Sequence, residues 1–375
     1  MIKTQQRLAR LCTALLTMAL APVAFALDNF KVDPRGRLHF DAGFQLSDKA
    51  AFGDNMKARR ARLGAAGRFD ENWRFQIEYD FADNKATAQD IFLSRKLGVG
   101  VIEIGQKVVP MGLNRLTSSN DILFIERSAL SNALTPDRRL GVRYDISNPR
   151  ATSQSMVFSR RVGDNFGEGN DAPLGFAQRL VYHPALSETQ RLHFGASAAF
   201  EHRRDATTVR LRERPEARID PDVFLVDTGA IDDAHYSVRS GLEAGYQQGP
   251  FMLEAEYLQQ ILHRRDAAHS RFSGYMVHSA YLLTGEQRTA RAGHLGGVLP
   301  QRAAGAWELA ARFSELDLND GDIDGGRQRV TTLGVNYYPQ ARIRFMANIL
   351  FVDAIRADGV RDRPTIFALR AQFHF

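Results

Sequence analysis

The side chains best suited to do chemistry in this chain are arginines. They cluster at Arg59, Arg60 and Arg62, at Arg115 and Arg127, at Arg138 and Arg139, and at Arg210, Arg212 and Arg214. A guanidinium fork meets phosphate or carboxylate with paired, charge-assisted hydrogen bonds. An oxyanion entering a narrow passage loses water, and such forks replace the hydrogen bonds it gives up. Narrow, low-dielectric walls also focus the field and raise the local anion concentration. Conduction needs several weak sites in series rather than one tight one, so a distributed row of arginines suits the passage of anions. Bond-making chemistry has no comparable support. The ten histidines show no metal-ligand spacing, and Ser197 in GASAAF lacks the closing glycine of a nucleophile elbow. There is no Walker loop or dinucleotide fingerprint, so no catalytic set, cofactor or metal is expected. Asp320, Asp322, Asp324 and Gly325 match the start of a calcium loop, but Thr331 stands where its twelfth position needs an acid. A solvated acidic loop is the favoured reading there.

Strands must carry these arginines. In 57–81, KARRARLGAAGRFDENWRFQIEYDF, Trp73, Phe75, Ile77, Tyr79 and Phe81 alternate with Arg74, Gln76, Glu78 and Asp80. Leu63, Ala65, Gly67 and Phe69 likewise oppose Arg60, Arg62, Gly64 and Arg68 across the polar turn Asp70-Glu71-Asn72. Period-two alternation marks β-strands. An aromatic face backed by a charged one suits a wall between lipid and an aqueous lumen, where barrel closure satisfies every backbone group. Alternation places Arg60 and Arg62 on the lumen face. Arg59 has the opposite parity and reaches the pore only if the strand is bulged or already above the membrane.

Sixteen segments have strand character: 35–46, 56–69, 73–83, 86–97, 100–107, 139–146, 152–162, 174–184, 189–202, 235–247, 250–263, 271–284, 303–317, 329–339, 341–353 and 364–375. Tight turns fall at 70–72, 97–100, 184–188, 248–250 and 339–340. Longer polar connections fall at 47–55, 108–138, 163–173, 203–234, 264–270, 318–328 and 354–363. The exception is 285–302, a long link where a short turn is due. The expected fold is all-β, a 16-stranded antiparallel transmembrane barrel. Connection 108–138 is the natural constriction loop: it is long, holds Arg115, Arg127 and Arg138 with Arg139 at its exit, and carries the apolar run Ile122-Leu123-Phe124-Ile125 that would pack it against the inner wall. Asp121, Glu126 and Asp137 accompany those arginines and could brace the loop by salt bridges instead.

Residues 1–26 read as a secretory signal peptide. Lys3, Arg7 and Arg10 precede the apolar run 11–23, and Ala24-Phe25-Ala26 supplies the cleavage site. The single cysteine, Cys12, lies in this leader, so the mature chain has no thiol chemistry. Removing the leader's three basic residues lowers the formal charge from +6 to +3, and any anion preference must come from where the arginines sit. No later segment holds enough consecutive apolar residues for a membrane helix. Residues 27–375 read as one barrel domain. Its last strand, with Phe367, Leu369, Ala371, Phe373 and Phe375 alternating with Arg370, Gln372 and His374, resembles the assembly signal of Gram-negative outer-membrane proteins. Outer-membrane localisation follows.

Several stretches together resemble the phosphate-selective porin family of the O and P type. They are MKARRARLGAAGRFDENWRFQIEYDF at 56–81, IGQKVVPMGLNRLTSSN at 104–120, GPFMLEAEYLQ at 249–259, AYLLTGEQR at 280–288, GAWELAARFSELDLND at 305–320, LGVNYYPQARIRFMANILFVDA at 333–354 and the terminal strand. The resemblance implies sixteen-stranded barrels, a homotrimer in the outer-membrane lipid, inward-folded loops, and a ladder of basic residues that leads inorganic phosphate, polyphosphate or other small anions through. Arg59 and Arg60 stand at a matching ladder position. Arg115 lies one residue from where the family often has a constriction lysine, and Arg210, Arg212 and Arg214 fall in the fifth loop, where the family also carries basic residues. A general or carboxylate-preferring channel is the alternative on the same scaffold. An outer-membrane barrel enzyme is a second alternative and would need a rim or lipid-facing Ser/His/Asp set.

Overall fold

The protein's structure is a computed structural model describing residues 30–46, 53–69, 71–164, 172–184, 187, 189–291 and 294–375. The expected leader lies outside the described residues. Sixteen long strands form one antiparallel sheet: β1 (Lys31–Leu46), β2 (Asn55–Arg68), β3 (Trp73–Asp80), β4 (Thr87–Leu97), β5 (Gly100–Val108), β6 (Arg138–Ser147), β7 (Ala151–Phe158), β8 (Leu174–Tyr182), β9 (Gln190–Val209), β10 (Ile231–Gln248), β11 (Phe251–Arg264), β12 (Ser270–Leu282), β13 (Ala306–Asp320), β14 (Ile323–Gln340), β15 (Ile343–Ile355) and β16 (Thr365–His374). Each pairs with its sequence neighbours, and β1 pairs with β16 to close the barrel. Every expected strand segment corresponds to one of these.

Alternation explains which face is which. On β13, Trp307, Leu309, Ala311 and Phe313 point outward while Glu308, Arg312 and Ser314 are buried inward. Tyr337 on β14 and Phe345 on β15 extend the aromatic row begun by Trp307, with Trp307 and Tyr337 stacked at 4.5 Å. Such a girdle marks the membrane interface of an outer-membrane barrel.

Two connections differ from expectation. The stretch 318–328 is not a long surface loop: β13 and β14 run to Asp320 and from Ile323, joined by a two-residue turn at Gly321 and Asp322. Gly321 takes φ +59°, a conformation that favours glycine. The extension was hidden because it leaves the lipid, so its outer face carries charges rather than aromatics, although Leu316, Leu318 and Ile323 continue the inward row. Connection 203–234 shortens similarly as β9 reaches Val209 and β10 starts at Ile231.

The long link after β12 has a structural reason. Arg288 within it is buried against Glu308, with Arg288 Nη2 donating to Glu308 Oε2 (2.7 Å) and Arg288 Nη1 to the carbonyl of Asp121 (2.9 Å). The link folds up beneath the constriction loop, which a tight turn could not do.

The core lies inside the barrel, not between layers. Residues 109–137, which include the short helices α1 (Leu113–Leu116) and α2 (Ala129–Ala133), fill the lumen against the β11–β16 wall. Residues 210–230 join them, with Ala217, Ile219 and Leu225 packed beside Ile125, Val330 and Met346. The space left open runs along β1–β8.

Candidate pore constriction

The loop is held to the wall one peptide at a time. Gln372 Nε2 donates to the carbonyl of Asn120 (3.1 Å), Arg344 Nη2 to Ile122 (2.7 Å), Asn336 Nδ2 to Leu123 (3.0 Å) and Arg312 Nη1 to Glu126 (3.0 Å). Asn348 Oδ1 accepts from the amide of Ile125 (2.8 Å). Buried backbone groups must be paired, and here inward side chains of β13–β16 take the place of a neighbouring strand. Between these bonds Leu123 and Phe124 pack on Met252, Ala280 and Ala310. The apolar run thus does hold the loop to the wall.

With one side anchored, the free edge of the loop faces β2–β8 across two basic chambers. The outer chamber, about 220 Å³, is lined by Arg59, Arg60, Arg161 and Arg218 together with Asp83, Glu126 and Asp137. The inner one, about 370 Å³, is lined by Arg35, Arg37, Lys107, Arg143 and Arg179, with Asp90 as its acidic residue and His294 also on its lining. Arg62, Arg115, Arg127 and Arg138 line both and form the waist between them.

Each waist arginine is fixed differently. Arg62 Nε donates to Asp80 Oδ2 (2.8 Å) and Nη1 to Glu78 Oε1 (3.0 Å). Arg138 Nε donates to Asp90 Oδ1 (2.8 Å). Arg115 donates to Thr135 Oγ1 (3.0 Å) and to the carbonyl of Ser131 (3.1 Å), with Asp137 at 3.7 Å. Arg127 is oriented by two carbonyls, of Asn114 (2.8 Å) and Thr117 (2.5 Å). Neutral dipoles aim that guanidinium without cancelling its charge.

Arg59 reaches the lumen through a bulge. His39 pairs with Arg60 and Phe40 with Ala58, so Arg59 is the extra residue of β2. Its Nε donates to Glu126 Oε1 (2.6 Å), and Arg60 lies 3.7 Å from the same carboxylate. Burial would raise the Glu126 carboxyl, but Arg59, Arg60, Arg218 and Arg370 hold it well below the usual carboxylate range. Asp137 behaves alike: burial is outweighed by Arg115, Arg138 and Arg161, and the group stays well below its ordinary value. Both remain anions at neutral pH, so they neutralise part of the basic lining.

Of the expected site arginines, Arg59, Arg60, Arg62, Arg115, Arg127 and Arg138 converge here. Arg139 turns instead toward Glu201 and Arg239 on the neighbouring wall. Arg210 and Arg212 do not line either chamber. Arg210 is 51% exposed and paired with Asp227, and Arg212 stacks on Phe224 at 4.1 Å. The reason is alternation in the segment that follows the unforeseen extension of β9 to Val209: Leu211 and Glu213 take the buried positions and leave Arg210 and Arg212 on the exposed ones. The missed residues are Arg35, Arg37, Arg143 and Arg179, together with Lys107, Arg161 and Arg218. The first four occupy inward positions of β1, β6 and β8, a signal that alternation alone contained, whereas Arg218 sits in an irregular segment with none. The calcium-like acids do not converge: Asp322 is held by Arg264 (2.8 Å) and Asp320 accepts from the Arg271 amide (2.7 Å).

Comparison with known proteins agrees with this geometry. A family model described as "Phosphate-selective porin O and P" matches residues 32–375. "Porin O" of Pseudomonas aeruginosa is 23% identical over 381 residues, covering 90% of this chain and 85% of that protein. An uncharacterized protein of Caulobacter vibrioides is 28% identical, covering 88% and 70%. Among solved structures, OmpT of Vibrio cholerae (a loop L8 deletion mutant) superposes with TM-score 0.60 at 14% identity, covering 93% of this chain and all of that one. The anion-selective porin from Comamonas acidovorans gives 0.58 at 13%, covering 92% and 100%.

Proposed function

This chain belongs to the phosphate-selective porin O and P family, and we propose that its channel prefers anions, with phosphate or polyphosphate as the favoured solutes. The family and the fold are those of an outer-membrane channel of a Gram-negative bacterium rather than of an enzyme. The observation that carries the preference is the waist, where four arginines from β2, the constriction loop and the start of β6 ring the passage between two basic chambers. Solute moves down its gradient without a chemical step. An incoming oxyanion meets Arg59, Arg60 and Arg218, passes the waist, and leaves past Arg35, Arg37 and Lys107. Guanidinium groups in sequence exchange hydrogen bonds with it, and their number keeps each site weak enough to release.

Phosphate is favoured over chloride because forks at several heights can bond an oxyanion bidentately, which a halide cannot reciprocate. A homotrimer exported through the leader 1–26 completes the proposal, and a solved neighbour is described as a trimer form. Single-channel chloride conductance of the refolded protein tests the solute. Block by low phosphate supports the reading. Anion selectivity without phosphate block would leave a general anion or carboxylate channel.

A further inference from the structure

One carboxylate of the outer chamber gathers guanidiniums as a bound anion would. Glu126 sits on the constriction loop with its side chain only 4% exposed. Arg59 of β2 takes it as a fork, Nε donating to Oε1 (2.6 Å) and Nη2 to Oε2 (3.3 Å). Arg370 of β16, which also serves Asp41, donates from Nη2 to Oε1 (3.3 Å), and Arg60 Nη2 lies 3.7 Å from Oε2. Forked, charge-assisted donors are what an oxyanion selects. Donors are also left over: Arg60 Nε and Arg370 Nη1 are buried without a hydrogen-bond partner. A tetrahedral oxyanion offers more acceptor oxygens than the two of a carboxylate.

The loop does not depend on this side chain for its place. The amide of Ile125 is held by Asn348 Oδ1 (2.8 Å), the carbonyl of Glu126 by Arg312 Nη1 (3.0 Å), and Arg127 is fixed to two loop carbonyls. The Glu126 carboxylate can therefore swing within the chamber of about 220 Å³ while its backbone stays put. The lining sets eight arginines against Asp80, Asp83, Glu126 and Asp137. Asp80 is paired with Arg62, and Asp137 lies among Arg115, Arg138 and Arg161. Of the four, it is Glu126 that pairs with Arg59 and Arg60. Buried charges stripped of their partner are costly, so these guanidiniums need a resident counter-ion whenever no solute is present.

We propose that Glu126 is a tethered stand-in for the permeating oxyanion, filling the site of Arg59, Arg60 and Arg370 at rest and yielding it to phosphate by exchange. The arginines then never stand bare, and each phosphate binds against an internal competitor. That competition keeps the first site of the passage weak enough to release its ion, as conduction requires. Glu126 thus sets affinity at the entrance, a different part from that of the waist, whose arginines choose the sign of the ion.

The test is phosphate binding to the detergent-purified barrel by isothermal titration calorimetry at constant ionic strength. Glu126→Gln removes the competing charge and should tighten phosphate about tenfold, equivalent to ~1.4 kcal/mol. Glu126→Ala leaves a site of carboxylate shape, so acetate should compete with phosphate there and not in the wild type. A side chain that merely braced the loop would give neither result, and its loss would weaken phosphate binding. Phosphate affinity in Glu126→Gln equal to or below that of the wild type would overturn the proposal. So would acetate that acts on Glu126→Ala no more than chloride does. This role rests on the anion-channel reading above yet fails separately from it. Cation-selective current in the wild type would refute that reading, whereas the two binding comparisons decide the role of Glu126 whichever ion the open pore conducts.

Discussion

Arg127 and Asp137 set the charge of the waist in opposite directions. Arg127 is aimed by carbonyl oxygens, so its charge is available to a passing anion. Asp137 lies within 3.7 Å of Arg115, Arg138 and Arg161 and offsets part of theirs. Asp137→Asn should therefore raise the anion-to-cation permeability ratio severalfold, measured by reversal potential. The same carboxylates fix the pH response. Glu126 and Asp137 are held well below the usual carboxylate range, and a depressed group contributes stability that persists until pH falls through its lowered value. Selectivity is expected to stay flat from pH 8 to pH 5 and to become more anionic only in strong acid, as those carboxylates take up protons. A rise in selectivity beginning near pH 6 would contradict this assignment. Arginines on inward positions of regular strands were legible from parity. Their counter-ions were not, because Arg370 meets Asp41 across 329 residues of sequence and only barrel closure brings them together.

At the scale of elements, the constriction loop depends on side chains from strands that follow it by two hundred residues. Asn348 is the clearest case, since its Oδ1 accepts from the amide of Ile125. Asn348→Ala leaves that buried amide unpaired, at a cost of about 1–3 kcal/mol. The expected outcome is a channel with unchanged strands by circular dichroism but larger, noisier conductance as the loop detaches. The loop itself was readable from its length and its run Ile122–Ile125. The link 285–302 was readable only as an anomaly, since nothing in its sequence states that Arg288 will reach the carbonyl of Asp121. Strand ends were the other weak point. Above the lipid the outer faces of β13 and β14 turn polar while Leu316, Leu318 and Ile323 keep the inward row apolar, so the outward aromatic row that betrays a membrane strand ends before the strand does.

For the whole molecule, closure is the step that makes the lumen. The β1–β16 seam carries ten register pairs from Arg37–His374 to Leu46–Thr365, and inside it Arg370 donates to both oxygens of Asp41 (2.6 and 2.7 Å). Removing one partner of a buried pair typically costs ~3–5 kcal/mol, and here Arg370 would keep only the longer contact to Glu126 (3.3 Å). Asp41→Ala should therefore lower the temperature at which the folded barrel converts to the unfolded form in heat-modified gels, while leaving pore selectivity anionic.

The measurement that tests the account most directly is the reversal potential of the purified channel across a potassium chloride gradient, for the wild type, Arg127→Gln and Arg210→Gln. A channel selected by its waist is anionic, loses much of that preference in Arg127→Gln, and keeps it in Arg210→Gln, whose guanidinium lies outside the chambers. Cation selectivity in the wild type, or equal effects of the two substitutions, would contradict the claim that the four arginines of the waist choose the ion.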